Sequence, residues 1–238
     1  MTTSPPRHVI RFYSNLQYAL ESIGFKEMTF LHPDKLNDPF DPPFYFVTDF
    51  NKDYQALINY VRQHHSRDLQ LFNDCFPKES WEKFVPDIEK YFNECRNHGF
   101  IFSTCEITNE EHPKDSLYMW SHYGCGHRGV AIEFDTALLA RPVLKSLGIH
   151  GTEPWVKIRY RSELPKITCE SFFQTVKAVI NDESLDRTAL FKITELTLSS
   201  KSIVWKKEKE WRLILANYET KLKVLKLGLE DDTITALY

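Results

Sequence analysis

Glycine is scarce, with 8 in 238 residues, and methionine scarcer still at 3, which disfavours a flexible linker protein. The five cysteines (Cys75, Cys95, Cys105, Cys125, Cys169) are odd in number, widely spaced and free of any CxxC pair. A zinc ribbon and a disulfide framework are therefore not indicated, and the thiols read as reduced. No run approaches the ~18 apolar residues of a membrane span. The segment Met1–Arg7 is polar and Pro-bearing, without the apolar stretch of a secretory leader. These absences lead us to expect a cytoplasmic protein with no membrane partner. Positive charge is not in surplus either: 30 Lys and Arg face 33 Asp and Glu, a net of −3. That excludes a globally basic nucleic-acid binder but leaves room for a local patch. GxxxxGK[ST], GxGxxG and HExxH are all missing, so P-loop, Rossmann and zincin chemistries are disfavoured.

What is present is a core. Hydrophobic residues make up 42%, including 17 Phe, 11 Tyr and 5 Trp. At this length roughly 70–75% of the unfolded surface can be buried without staples. We expect one domain over residues 1–238. β-prone runs occur at His8–Tyr13, Met28–Leu31, Phe100–Cys105, Gly129–Phe134, Trp155–Tyr160 and Lys209–Leu215, with Leu222–Leu227 expected to pair beside the last of these. Asn15 is a fitting N-cap for a helix through Ser22, stopped by Gly24, with Leu16, Ala19, Leu20 and Ile23 as its apolar stripe. Helical spacing marks Ser116–His122, Phe172–Ile180 and Leu185–Leu198. It also marks residues 52–98, read as a helical insertion in the sheet. Strands and helices do not alternate regularly. The expected class is therefore α+β, with a mixed, mostly antiparallel sheet.

Three segments carry the chemistry. In Glu208-Lys209-Glu210-Trp211-Arg212, strand alternation would put Glu208, Glu210 and Arg212 on one face and Lys209 and Trp211 on the other. Two carboxylates and a guanidinium together fit a cation-stabilising site; they equally fit an edge strand whose charges sit in water. In Trp120-Ser121-His122-Tyr123-Gly124, an aromatic ring could stack on a flat substrate while His122 donates to a phosphate. The alternative is a hydrogen-bonded cluster fixing the Gly-rich turn. His122 and His127 lack a standard ligand spacing, so no metal site is assigned. Arg11, at the tip of the first strand, suits a phosphate clamp or a salt bridge to Asp38 or Asp41. Asn37 and Asp38 lie in a Pro-rich loop where they form a turn or border a cleft. Between Ser199 and Lys226, seven Lys and one Arg face three Glu. Lys206, Lys207, Lys209, Lys221 and Lys223 interleave there with Trp205, Trp211 and Tyr218, a pattern that suits a nucleic-acid partner or an ordinary solvated face.

Leu36-Asn37-Asp38-Pro39-Phe40-Asp41, Met119-Trp120-Ser121-His122-Tyr123-Gly124 and Glu208-Lys209-Glu210-Trp211-Arg212, in that order, resemble the prokaryotic family called Domain of Unknown Function 2971. The resemblance spans about residues 11–212. It implies no established reaction, variation near residues 52–97, and a setting among mobile elements and defence genes, hence a role in phage defence or as a toxin. More distantly, the order of elements is similar to that of the ADP-ribosyltransferase fold, a split sheet with Arg or His on its first strand, a polar residue on a central strand and Glu on a late one. That resemblance implies Arg11 and Ser103 as substrate-binding, with Trp120, Tyr123, Arg212, Asn37 and Asp38 around them. Glu210, Glu208 and His122 would be catalytic. NAD would be the substrate, with no tightly bound cofactor. A non-catalytic nucleic-acid or protein-binding module and a Mg²⁺-dependent nuclease using Glu208, Glu210 and Asp38 stand as alternatives.

Overall fold

A computed structural model describes residues 4–36, 54–75, 77–78, 90, 96–108, 112–147, 154–163, 173, 198–216 and 223–238. The Pro-rich loop with Asn37, Asp38 and Asp41, the helices expected at 172–180 and 185–198 (save Phe173 and Leu198), and Lys221 lie outside these residues. The described elements in chain order begin with β1 (His8–Tyr13), α1 (Leu16–Gly24) and β2 (Glu27–Leu31). The helices α2 (Tyr54–His64) and α3 (Leu69–Cys75) follow, then β3 (Gly99–Glu106), α4 (Leu117–Tyr123), β4 (Val130–Asp135) and α5 (Thr136–Leu147). The last part holds β5 (Trp155–Lys157), β6 (Arg159–Arg161), β7 (Ser200–Ser202), the 3-10 turn Ile203–Glu208, β8 (Glu210–Ala216), β9 (Val224–Gly228) and β10 (Ile234–Leu237). This is an α+β architecture. No described helix is long and apolar enough to cross a membrane.

The main sheet is antiparallel at every pairing, with the path β10-β4-β1-β3-β2-β9 and with β8 joining β3 to β5. Its crossing point decides the rest. Strand β8 takes one whole edge of β3, from Gly99↔Ala216 to Cys105↔Glu210. The other edge is shared: β1 holds it at Ile10↔Cys105 and Val9↔Glu106, and β2 at Leu31↔Ile101. Between those points β1 and β2 diverge and the sheet splits, with Ser103 at the fork.

One face of the sheet packs a core built from Val9, Phe30, Phe100, Phe102, Ile132, Phe134 and Leu213, closed by Leu139 and Val143 of α5. The opposite face is smaller. There Ile10, Cys105 and Ala131 meet Met119 of α4, with Phe12, Trp120 and Tyr123 around them. Ser116 caps α4 by accepting the Met119 N–H, and Asn15 caps α1 by accepting the Gln17 N–H.

Two expectations are corrected, and two elements without a sequence expectation appear. β9 pairs with β2, from Glu27↔Gly228 to Leu31↔Val224, and not with β8, whose two edges are already taken by β3 and β5. α1 buries Ala19 and Ser22, while Leu16 and Leu20 are exposed at 55% and 56%. Helix α5 carried no sequence signal because Pro142 lies inside it. The acidic stretch after β9 is a turn held by Arg141–Glu230 and Lys26–Asp231, and β10 follows it to pair with β4.

Gly129, before β4, admits no side chain: a Cβ there would lie 2.3 Å from the Tyr13 carbonyl oxygen. Backbone cannot swing away as a side chain can. Gly129→Ala is therefore expected to lower unfolding stability by about 1–3 kcal/mol. Urea denaturation checks this, the midpoint falling with an unchanged slope.

Candidate functional site

Where the sheet forks, a cavity of about 540 Å³ opens. Its polar wall combines Arg11, Ser103, Tyr123, Lys201, Glu208 and Glu210, and its apolar wall includes Ile10, Phe12, Cys105 and Met119. Residues remote in sequence meet because β1, β3 and β8 are successive neighbours in the sheet.

Glu210 sits at the start of β8, 4% exposed, opposite Cys105. Arg212, fully buried, grips it from behind: Nε donates to Oε1 at 2.6 Å and an Nη to Oε2 at 3.2 Å. Lys201, presented by the short parallel pair β6–β7, donates to Glu210 Oε2 at 3.1 Å, and the Ser103 hydroxyl adds a further hydrogen bond. The Glu210 N–H donates to the Tyr160 hydroxyl at 2.8 Å. Burial would lift the Glu210 pKa, but Arg212 and then Lys201 outweigh it and draw it down to about 2. The carboxylate is a fixed, ionised group.

Glu208 differs. It ends the 3-10 turn, and Lys209 turns the chain through a left-handed conformation (φ 47°) before β8 begins. Both carboxylates thereby reach one cavity without lying on one strand. Lys201 bridges them, donating to Glu208 at 2.7 Å, and Tyr123 donates its hydroxyl to the other Glu208 oxygen. Burial raises the Glu208 pKa; Lys201 opposes this and the charge of Glu210 adds to it. Tyr123 is also raised, chiefly by burial, and stays a neutral donor. Two neighbouring carboxyls pushed in opposite directions is a division of labour common in catalytic sites.

Arg11 lies with its guanidinium 4.2 Å from the Phe102 ring centre and donates to the Ser103 carbonyl at 3.0 Å. That carbonyl is at the fork of the sheet. Arg11 Nε is buried and has no hydrogen-bond partner among the described residues. Burial lowers the Arg11 pKa, and the charge of Glu210 acts against that. Among the residues lining the cavity, Arg11, Lys35 and Lys201 outnumber Glu208 and Glu210, a positive surplus suited to an anionic ligand.

The fork thus brings together Arg11, Ser103, Tyr123, Glu208 and Glu210. Arg212 stands behind them and positions Glu210 without lining the cavity. The edge-strand reading of its charges is excluded, because β8 is paired on both sides. His122 and Trp120 point elsewhere. His122 is exposed, its Nδ1–H donating to the Tyr118 carbonyl at 2.9 Å. Trp120 packs edge-on against Phe12 and flat against His127, its N–H donating to the Lys114 carbonyl. Lys223 is paired with Asp34 at 2.8 Å. Lys201 and Tyr160 were missed in the sequence. Lys201 belongs to the basic cluster, and nothing local marks it as a lysine buried between carboxylates.

The family described as protein of unknown function (DUF2971) matches residues 119–213, which run from α4 through Arg212. Over that span, less than half of the chain, the sequence is similar to this family. That span supplies Tyr123, Lys201, Glu208, Glu210 and Arg212 to the fork; Arg11 and Ser103 come from before it. No curated protein and no solved structure matches the chain.

Removing the charge of Glu210 takes the paired carboxylate from buried Arg212, which keeps its hydrogen bond to the Leu198 carbonyl. Glu210→Gln is expected to cost about 3–5 kcal/mol at neutral pH. Because the folded pKa is depressed, this stabilisation is full above the ordinary value of 4.5 and fades as pH falls towards 2. Denaturation of both proteins across that range checks it: the stability gap between them should narrow with acid.

Proposed function

We propose that this protein is an enzyme of the ADP-ribosyltransferase type, which cleaves a nicotinamide dinucleotide and passes its ADP-ribosyl group to a nucleophile. The observation that carries the reading is the meeting of Arg11, Ser103 and Glu210 where the sheet splits. The family match names no reaction, so the case rests on this geometry.

The roles follow from charge. Arg11, always protonated and with Nε unclaimed among the described residues, holds the pyrophosphate as a planar fork. Glu210, ionised and rigid, faces the ribose. As the C1′–N bond breaks, nicotinamide leaves with the bonding electron pair and positive charge develops on the ribosyl ring. A preorganised carboxylate stabilises that charge without reorganising. Ser103 and Arg212 hold Glu210 in place. Glu208, in its ionised fraction, takes the proton that the acceptor sheds as its oxygen or nitrogen bonds to C1′. With water as acceptor the products are ADP-ribose, nicotinamide and a proton.

A Mg²⁺-dependent hydrolase fits less well. The Lys201 ammonium already occupies the place between Glu208 and Glu210 that a bridging cation would take. Among the described residues no group of three His, Cys, Asp or Glu converges.

The test is nicotinamide release from NAD by the purified chain. Glu210→Gln, checked for folding by circular dichroism, should lose a hundredfold or more of the rate, in line with loss of one preorganised group. Arg11→Lys keeps the charge and loses the fork, so KM should rise about tenfold with kcat little changed. Absence of release by the wild type with every acceptor tried would end the reading.

A further inference from the structure

Immediately outside the cavity, α4 and the turn Ile203–Glu208 build a ledge of rings. Tyr118 and His122 lie 4.3 Å apart between ring centres, and Trp205 meets His122 edge-on at 5.9 Å. Tyr123, on the cavity wall, follows at 6.4 Å from His122. Lys207 lies 5.8 Å from the Tyr118 ring centre, and Lys206 beside it is exposed. Leu117 and Val204, at 72% and 71% exposure, extend the apolar surface. Ledge and cavity share a wall: the Lys201 ammonium is 2.7 Å from Glu208 and 5.3 Å from the Trp205 ring centre.

Neither Leu117–Tyr123 nor Ile203–Lys207 contains a carboxylate. A ledge whose own segments carry lysines and flat rings, with Glu208 behind it buried against Lys201, offers little to basic partners. It fits a ligand that is anionic along its length and carries planar faces at intervals. The geometry points to single-stranded nucleic acid as the acceptor, its bases stacking on Trp205, Tyr118 and His122 and its phosphates facing Lys206 and Lys207. The inference deepens the transferase reading and rests on it for chemistry, though not for binding. A base or sugar nucleophile led along the ledge reaches C1′ next to Glu208. There the new C1′–N or C1′–O bond forms as nicotinamide departs, and the displaced proton passes to the carboxylate. The placement also gives His122 a setting outside the cavity, on the path of the acceptor.

Two measurements keep the two readings apart. Fluorescence anisotropy with a labelled single strand of about 16 nucleotides reads binding alone. The wild type should bind, more weakly as salt rises, and the double substitution Lys206→Glu with Lys207→Glu should weaken binding about tenfold or more. Mass spectrometry of the same strand after incubation with NAD reads transfer. It should show an added ADP-ribosyl mass, and the double variant should lose transfer about tenfold more than it loses nicotinamide release into water. Binding without nicotinamide release would sustain the ledge and remove the transferase. Release with no binding to the strand, or with label found only on added protein, would overturn the ledge. Equal transfer by the double variant would overturn it too.

Discussion

A strand has two edges, and β3 has three partners. Because β8 claims one edge along its full length, β1 and β2 must divide the other. Two strands cannot occupy the same hydrogen-bonding positions, so they part, and backbone groups at the fork turn to side chains instead. The Ser103 carbonyl takes a donor from Arg11. The cavity is a consequence of strand accounting, and the polar residues around it sit where a continuous sheet would have placed paired backbone.

The fork alone would be a wet notch. What gives it chemical character is the ion network that β8 and β7 bring to it. Burying Arg212, Lys201, Glu208 and Glu210 costs several kcal/mol per ion before pairing recovers it, and apolar residues of like size would hold the fold as well or better. The proposed catalysis draws on this arrangement at the base of the cavity. The network also separates its two carboxyls: Glu210 is kept ionised by Arg212 and Lys201, while Glu208, beside Tyr123, holds its proton more tightly than an exposed glutamate.

The strands were legible because their apolar runs are strong, and β1, β3, β4 and β8 fall within a residue or two of their sequence signals. Order within the sheet was not, since nothing local tells Leu222–Leu227 that the edges of β8 are occupied. Arg11, Glu208 and Glu210 stood out by residue type and Ser103 through the fold resemblance, but only the placing of β1 and β8 on either side of β3 puts them together. The alternation that placed Glu208 and Glu210 on one strand face was replaced by a 3-10 turn and a left-handed Lys209, which reach the same cavity by another route. His122, next to Tyr123 in sequence, lies on another side of α4, and Trp120, one turn earlier, is held outside the cavity by Phe12, His127 and the Lys114 carbonyl. Lys201 was invisible because burial, not type, distinguishes it from its neighbours.

The most direct measurement is a crystal structure of the protein with a non-cleavable nicotinamide dinucleotide analogue. The pyrophosphate should lie on Arg11 and the nicotinamide ribose against Glu210, within the fork between β1 and β2. An analogue bound at another surface, or a fork left empty at saturating concentration, would contradict it.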